Sequence, residues 1–265
     1  MPRANRYFIP GYIWHITHRC HKREFLLKFN RDKKCWISWL FEAKKRYNLN
    51  VLNYMVTDNH IHLLLLDNGE RDCIPKSIQL VAGRTGQEFN YRKKRKGAFW
   101  EDRYHATAVA KADYLLQCMD YIDMNMVRAG VVHHPAEWPF CGYYELMSGK
   151  QRYRLIAYEK LAKVLGVTSQ KEISPMRQRS IKTILKKDIL QRQKQWTESI
   201  AIGSESFVDS IKNKLSIRAK TRTVHQGNHN YQLRETADPY NTIFHAENGI
   251  LRQKNDLFWD VYPDI

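Results

Sequence analysis

The first 150 residues alternate between strand-like and helix-like segments, and this alternation limits the possible folds more than any other feature. Residues 12–17 are rich in β-branched and aromatic side chains, which favours a strand. Residues 32–47 place Trp36 and Leu40 at helical spacing, which indicates a helix. The other predicted elements are strands at 51–56, 61–66 and 104–109 and helices at 73–91 and 112–126. The order β-α-β-β-α-β-α predicts an α+β fold, a split βαβ (ferredoxin-like or RRM-like) antiparallel sheet with helices on one face.

The composition changes beyond residue 150. We therefore assign residues 1–150 to one domain and residues 151–217 to a mainly helical C-terminal extension, because that stretch shows helical periodicity and has little glycine. Residues 218–265 are polar and rich in asparagine and histidine, which predicts an irregular C-terminal tail with an aromatic anchor at Phe258-Trp259.

Two small residues raise the question of what the extension does. Ala162 and Gly166 have the spacing found around the turn of a helix-turn-helix, where small residues let two helices approach closely. Glu172 stands where an apolar residue is expected, so the match is partial. A DNA-binding extension and an extension that packs on the first domain both remain open.

The charge balance points to a polyanionic partner. The chain has 265 residues, with 44 Lys+Arg against 27 Asp+Glu and a formal net charge of +17. An excess of that size attracts phosphates, and nucleic acid is favoured because no basic amphipathic helix lies beside an apolar anchor. Solvated charge runs are the alternative explanation for the basic clusters. The candidate DNA contacts are Arg19, Lys22, Arg23, Arg92, Lys93, Lys94, Arg95, Lys96 and Arg103.

Cysteine usage and hydropathy suggest the compartment. The 5 cysteines are odd in number, and no two have Cys-x-x-Cys spacing, so neither a disulfide framework nor a cysteine zinc cluster is expected. The apolar run at residues 61–66 is far shorter than the roughly 20 residues of a membrane-spanning helix. The N-terminal residues lead into no continuous apolar stretch, so no secretory signal is expected. These features predict a cytoplasmic protein.

His60-Ile61-His62 is the motif that carries most information about chemistry. Side chains at positions i and i+2 of a strand project from the same face, so the two imidazoles converge while Ile61 points into the core. Neutral imidazole binds divalent metals, which predicts a shared metal ion. Two solvated or hydrogen-bonded histidines near a strand end are the alternative.

Tyr121 and Asn125 form the second part of the predicted site. They are four residues apart, so they share a face of the helix at residues 112–126, and the Asn125 amide oxygen can add a metal ligand. A tyrosine hydroxyl has a pKa near 10, so it acts as a nucleophile only on a polarised electrophile or beside a cation. Tyr114 is the rival nucleophile, but the residue four positions after it is Cys118, which has no side-chain carbonyl oxygen to offer a metal. A half-buried core tyrosine is the alternative for Tyr121.

Together these motifs resemble a known family. His60-Ile61-His62 has the His-hydrophobic-His form of the HUH endonucleases, and residues 119–130 resemble the nucleophile helix of the single-tyrosine transposases. The branch with the greatest similarity is the REP-associated tyrosine transposases. Residues 12–19, 99–104 and 137–140 supply further matches, so the resemblance covers about residues 6–145.

The resemblance implies a reaction and a set of roles. His60, His62 and Asn125 would bind a divalent metal, Mg²⁺ or Mn²⁺, and Tyr121 would be the nucleophile. Tyr121 would attack a backbone phosphate of single-stranded DNA that bears palindromic REP-type hairpins, giving a 5′-phosphotyrosine link and a free 3′-hydroxyl. Met126 stands where many relatives have proline, which is expected to relax the helix exit and leave the chemistry intact.

The sequence therefore predicts a metal-dependent endonuclease and strand transferase. A non-catalytic nucleic-acid-binding regulator on the same fold is the alternative. A binding module has no need for His60, His62, Tyr121 and Asn125 together, so this set of four favours the enzyme. The REP-associated branch implies a bacterial protein that associates with the nucleoid when it binds DNA. It also implies a monomer, and a dimer is the alternative.

Overall fold

The computed structural model describes residues 9–70, 72–149, 152–187, 191–219, 222–227 and 230–235. Its strands are β1 Ile13–Arg19, β2 Asn50–Val56, β3 His60–Leu66, β4 His105–Val109, β5 Ala201–Gly203, β6 Arg222–Gln226 and β7 Tyr231–Glu235. Its helices are α1 Asn30–Tyr47, α2 Cys73–Arg92, α3 Asp113–Asp123, α4 Asn125–Arg128, α5 Gly142–Ser148, α6 Tyr158–Leu165, α7 Gln170–Lys187, α8 Gln195–Glu198 and α9 Glu205–Leu215.

The predicted α+β fold class is confirmed. The first four strands lie in the order β2-β3-β1-β4 and are antiparallel, with α1 between β1 and β2 and α2 between β3 and β4. This is the split βαβ arrangement. Strand β1 lies inside this sheet, because it pairs with β3 along one edge and with β4 along the other.

The sheet does not stop at the predicted boundary near residue 150. Strand β5 pairs in parallel with β4, and β7 and β6 continue the sheet antiparallel beyond it, so the described sheet has seven strands. The extension contains α6 to α9 and also supplies strand β5. The prediction of an irregular tail is wrong for residues 222–226 and 231–235, whose backbone groups pair with each other. Residues 236–265, including Phe258-Trp259, lie outside the described residues.

Helices cover both faces of the sheet, whereas the sequence analysis placed them on one. Helix α2 lies on the face of His18, whose ring stacks on Trp100 while the Trp100 indole N–H donates to the Ala82 carbonyl of α2. Helix α3 lies on the opposite face, where the Asn53 amide of β2 donates to the Asp123 carboxylate. The second face carries apolar side chains such as Leu64, so it must also be covered for the sheet to be stable.

Two of the helices after β4 end at points that the backbone conformation explains. The predicted helix at residues 112–126 is interrupted, because the backbone of Met124 leaves helical geometry between α3 and α4. Helix α6 ends before Gly166, which adopts the left-handed conformation that suits glycine at a helix end, and α7 begins at Gln170. None of the described helices is long and apolar enough to cross a bilayer.

Candidate active site

The two histidines of the His60-Ile61-His62 motif lie on one face of β3. Their ring centroids are 4.9 Å apart, with the ring planes nearly perpendicular. Ile61, the residue between them, is buried and points to the other face of the sheet. His62 is buried and His60, at the first position of the strand, is partly exposed. The strand period therefore brings together the pair that the sequence analysis selected.

The ring of His60 is held through its Nδ1 atom. This nitrogen lies 2.7 Å from the Asn59 side-chain oxygen and 2.9 Å from the Thr57 hydroxyl oxygen. An amide oxygen only accepts hydrogen bonds, so Nδ1 carries the proton and Nε2 keeps its lone pair. The turn before β3 thus leaves the His60 Nε2 atom able to bind a metal.

The ring of His62 has a partner at each nitrogen. Its Nε2 atom accepts from the Asn125 amide nitrogen at 3.0 Å, and its Nδ1 atom lies 3.0 Å from Nε2 of His15. His15 is on β1 and is fully buried. The interruption at Met124 places Asn125 at the start of α4, where its side chain reaches the histidine pair.

Tyr121 lies against the same group from α3. Its ring centroid is 5.7 Å from that of His62 and 6.2 Å from that of His15, with both pairs edge-to-face. The Arg128 guanidinium stacks over the Tyr121 ring at 4.3 Å and donates to the Tyr121 carbonyl at 2.6 Å. The structure therefore brings His60, His62, Tyr121 and Asn125 into one cluster.

Burial and positive charge set the protonation of this cluster. Burial, together with Arg19, Arg192 and Arg128, lowers the pKa of His60 to about 3, and burial also lowers the pKa of His62 well below its usual value. Both imidazoles are neutral at neutral pH, which is the form that binds metals. Burial raises the pKa of Tyr121, and the charges of Arg128 and Arg192 oppose that rise.

The donor set fits a divalent metal with open positions. Two imidazole nitrogens and one amide oxygen are fewer ligands than the octahedral set that Mg²⁺ or Mn²⁺ takes, so water or a phosphate oxygen can complete the coordination. Among the described residues no group of three or more His, Cys, Asp or Glu side chains has metal-site geometry. Any ion at this site would therefore depend on His60, His62 and Asn125.

A family model matches the part of the chain that carries this cluster. Residues 9–125 match the family described as IS200-like transposase. The resemblance to single-tyrosine transposases is confirmed for the matched segment, residues 9–125, which contains His60, His62, Tyr121 and Asn125. The matched region ends at Asn125, so the extension lies outside it.

Two solved structures are also similar to the chain. A REP-associated tyrosine transposase bound to a REP hairpin is 20% identical, over 56% of this chain and 86% of that chain, with a TM-score of 0.48. A protein from Deinococcus radiodurans assigned as a transposase is 15% identical, over 41% of this chain and 86% of that chain, with a TM-score of 0.32. A comparison with curated proteins gave no match.

The basic residues that the sequence analysis predicts to contact DNA gather at one end of the sheet. Arg19 ends β1 opposite His60, and Lys22 and Arg23 are exposed in the turn that follows. Arg103 is exposed in the loop that leads into β4, which starts at the same end because β4 is antiparallel to β1. The exposed residues Lys93, Lys94 and Lys96 follow α2.

Arg92, the last residue of α2, and Arg95, which follows the helix, have acidic partners, which differs from a simple solvated charge run. Arg92 pairs with the buried Asp32 of α1, and Arg95 pairs with Glu24 at 3.4 Å. Glu24 belongs to the same loop as Arg23, whose carbonyl accepts from Asn59 beside His60. Arg95 therefore connects through this loop to the turn that holds His60.

The sequence analysis missed three parts of the site. Trp196 of α8 lies with its ring 6.3 Å from that of Tyr121. Arg128 and Arg192 supply the nearby positive charge. Arg128 lies seven residues after Tyr121, a helical spacing that predicts a shared face, so it was within reach of sequence reasoning. No local pattern indicates Trp196 or Arg192, which come from beyond the matched segment.

Proposed function

We propose that this chain cuts and rejoins single-stranded DNA by transesterification, with the Tyr121 hydroxyl as nucleophile. The observation that carries the proposal is the cluster in which the Tyr121 ring lies 5.7 Å from that of His62 while His62 and Asn125 are hydrogen-bonded. Membership of the segment in a transposase family supports the same reaction class. The finer features, namely the metal and the phosphotyrosine link, rest on this geometry and on the motif resemblance.

The bond changes balance without an external energy source. The Tyr121 oxygen forms a bond to the DNA phosphorus while the bond from phosphorus to the 3′-oxygen breaks, and the phenol proton ends on that oxygen. The product is a 5′-phosphotyrosine link and a 3′-hydroxyl. A 3′-hydroxyl can reverse the step and rejoin DNA, because the phosphodiester energy is retained in the link. The positive charge of Arg128 and Arg192 favours the phenolate form of Tyr121.

His60, His62 and Asn125 would hold the divalent ion. When bound, Mg²⁺ or Mn²⁺ supplies polarisation of the scissile phosphate. Asn59 and Thr57 keep the His60 ring oriented for this task. The substrate would be DNA with palindromic hairpins, and Arg19, Lys22, Arg23 and Arg103 would contact its phosphates at the end of the sheet where His60 lies.

The direct test is formation of a covalent adduct. We expect the full chain, incubated with end-labelled hairpin DNA and Mn²⁺ or Mg²⁺, to give a denaturant-resistant protein–DNA species that a chelator prevents. Mass spectrometry of the digested adduct should place the nucleotide on Tyr121. Adduct on another residue contradicts the assignment of the nucleophile. DNA binding without adduct under any metal condition would favour a non-catalytic regulator instead.

The balance of charge at Tyr121 predicts a shift in pH dependence. Arg128 lowers the pKa of Tyr121, so Arg128→Met raises that pKa and reduces the phenolate fraction at a given pH. The alkaline rise of adduct formation should move to higher pH, as measured by a pH–rate profile. Arg128→Lys keeps the charge and should give a smaller shift. An unchanged profile for Arg128→Met would show that Arg128 does not act on the phenol.

A further inference from the structure

A pair of groups behind His62 links the histidine motif to the C-terminal extension. His15 Nε2 lies 3.0 Å from His62 Nδ1, and His15 Nδ1 lies 2.9 Å from the backbone carbonyl oxygen of Trp196. His15 and Trp196 are both fully buried and are separated by 181 residues in the chain. Trp196 belongs to α8, outside the matched segment at residues 9–125.

We propose that His15, anchored by the Trp196 carbonyl, is a positioning residue that fixes the Nδ1–H tautomer of His62 and leaves its Nε2 lone pair directed at the metal position. The inference rests on the proposed function, because it deepens the role of His62. It makes the extension part of the active site.

The direction of the hydrogen bonds follows from the carbonyl. A carbonyl oxygen only accepts, so Nδ1 of His15 must donate to it. A neutral imidazole with its proton on Nδ1 has a lone pair on Nε2, so His15 Nε2 accepts. The proton between the two rings then belongs to His62 Nδ1, and His62 Nε2 is left as an acceptor. These steps depend on which atoms can donate and on both rings of this buried pair being neutral.

The hydrogen bond between Asn125 and His62 does not determine which nitrogen of His62 carries the proton. The Asn125 side chain donates to His62 Nε2 as placed, but an amide can turn over and present its oxygen instead. The Trp196 carbonyl belongs to the backbone and cannot reverse. The relay from Trp196 through His15 therefore decides the tautomer, and the Asn125 amide adapts to it. Partners of this kind typically change metal affinity by about 10–100-fold when they are removed.

Further contacts hold Trp196 in place. Its indole N–H donates to the Gln193 side chain at 2.7 Å, and its ring lies beside Tyr121. On the face of the sheet that carries His15, the Thr107 hydroxyl of β4 donates to the backbone carbonyl of Ser199 at 2.6 Å. Ser199 lies three residues after Trp196. The carbonyl that orients His15 is thus fixed by the packing of the extension on the sheet.

The test is the tautomer of His62, read by long-range ¹H–¹⁵N correlation spectra of the metal-free, DNA-free full chain. We expect wild-type His62 to carry its proton on Nδ1. His15→Phe removes both hydrogen bonds and should give a mixture of His62 tautomers. His15→Gln retains an acceptor for His62 and a donor for the Trp196 carbonyl, so it should restore the wild-type pattern.

A second readout is Mn²⁺ affinity, measured by calorimetry without DNA. His15→Phe should weaken binding about 10–100-fold, and His15→Gln should recover most of the loss. The proposal is overturned if wild-type His62 carries its proton on Nε2, a result that needs no variant to fold. It is also overturned if folded His15→Phe keeps both the tautomer and the affinity. A correct tautomer together with no DNA adduct would contradict the nuclease function alone.

Discussion

Replacing Tyr121 with phenylalanine is expected to abolish the covalent protein–DNA adduct and to reduce strand cleavage by at least about 10³-fold. Removal of a nucleophile commonly costs this much or more, because the remaining groups cannot supply the missing atom. Phenylalanine keeps the ring that packs edge-to-face on His62 and His15. It loses the hydroxyl, to which the Thr197 side chain hydrogen-bonds, so stability should fall by only about 0.5–1.5 kcal/mol. Gel electrophoresis of labelled DNA under denaturing conditions measures both adduct and cleavage.

Tyr114→Phe is the matched control. Tyr114 lies two turns earlier on the same helix and is partly buried. Among the described residues, Tyr114 makes no hydrogen bond or ring contact with His60 or His62, so adduct formation should persist. The opposite result, with Tyr121→Phe active and Tyr114→Phe inactive, would move the nucleophile to Tyr114. Equal activity of both variants would exclude a phenol on α3.

Arg177→Met is expected to reduce the free energy of unfolding by about 3–5 kcal/mol, the range for breaking a buried ion pair by removing one partner. The Arg177 guanidinium is fully buried on α7 and lies 2.7 Å from Asp123 and 2.7 Å from Asp120 on α3. Burial disfavours its charge, but Asp123 and Asp120 raise the pKa of Arg177 above its usual value. Methionine would leave the Asp123 carboxylate buried beside Asn53 without a counter-charge.

Arg179→Met controls for the loss of a positive charge from the same helix. Arg179 is exposed, so this variant should change stability by less than about 0.5 kcal/mol. Urea unfolding followed by circular dichroism compares the two variants. The double variant Arg177→Met/Asp123→Asn removes both charges and should recover part of the lost stability. If Arg177→Met is as stable as Arg179→Met, the buried ion pair does not hold α7 against α3.

Local periodicity accounts for much of what could be predicted. The two-residue period of a strand places His60 and His62 on one face, and this holds wherever the strand lies in the sheet. The spacing of Tyr121 and Asn125 predicts a shared helical face. Both residues do lie at the site, although the backbone at Met124 divides the predicted helix between them. The α+β order of the first 150 residues follows from the same patterns.

Contacts across long sequence distances could not be predicted in this way. Arg177 belongs to a run of basic residues that is typical of a solvated helix face, yet it is buried against Asp120 and Asp123. The strands β6 and β7 are short and polar, so their alternation is weak, and they are stabilised by pairing at the edge of an existing sheet. Helix α7 covers α3 through its basic residue Arg177, which supports an extension that packs on the first domain.

The sequence by itself determined which side chains can do chemistry here, because two imidazoles on a strand and a phenol and an amide on a helix follow from short periods in the chain. Only the tertiary structure decided how those groups are oriented. The carbonyl of Trp196 reaches His15 across 181 residues, and a backbone carbonyl looks the same at every position of a sequence. Its effect on His62 exists only once the sheet and the extension have packed together.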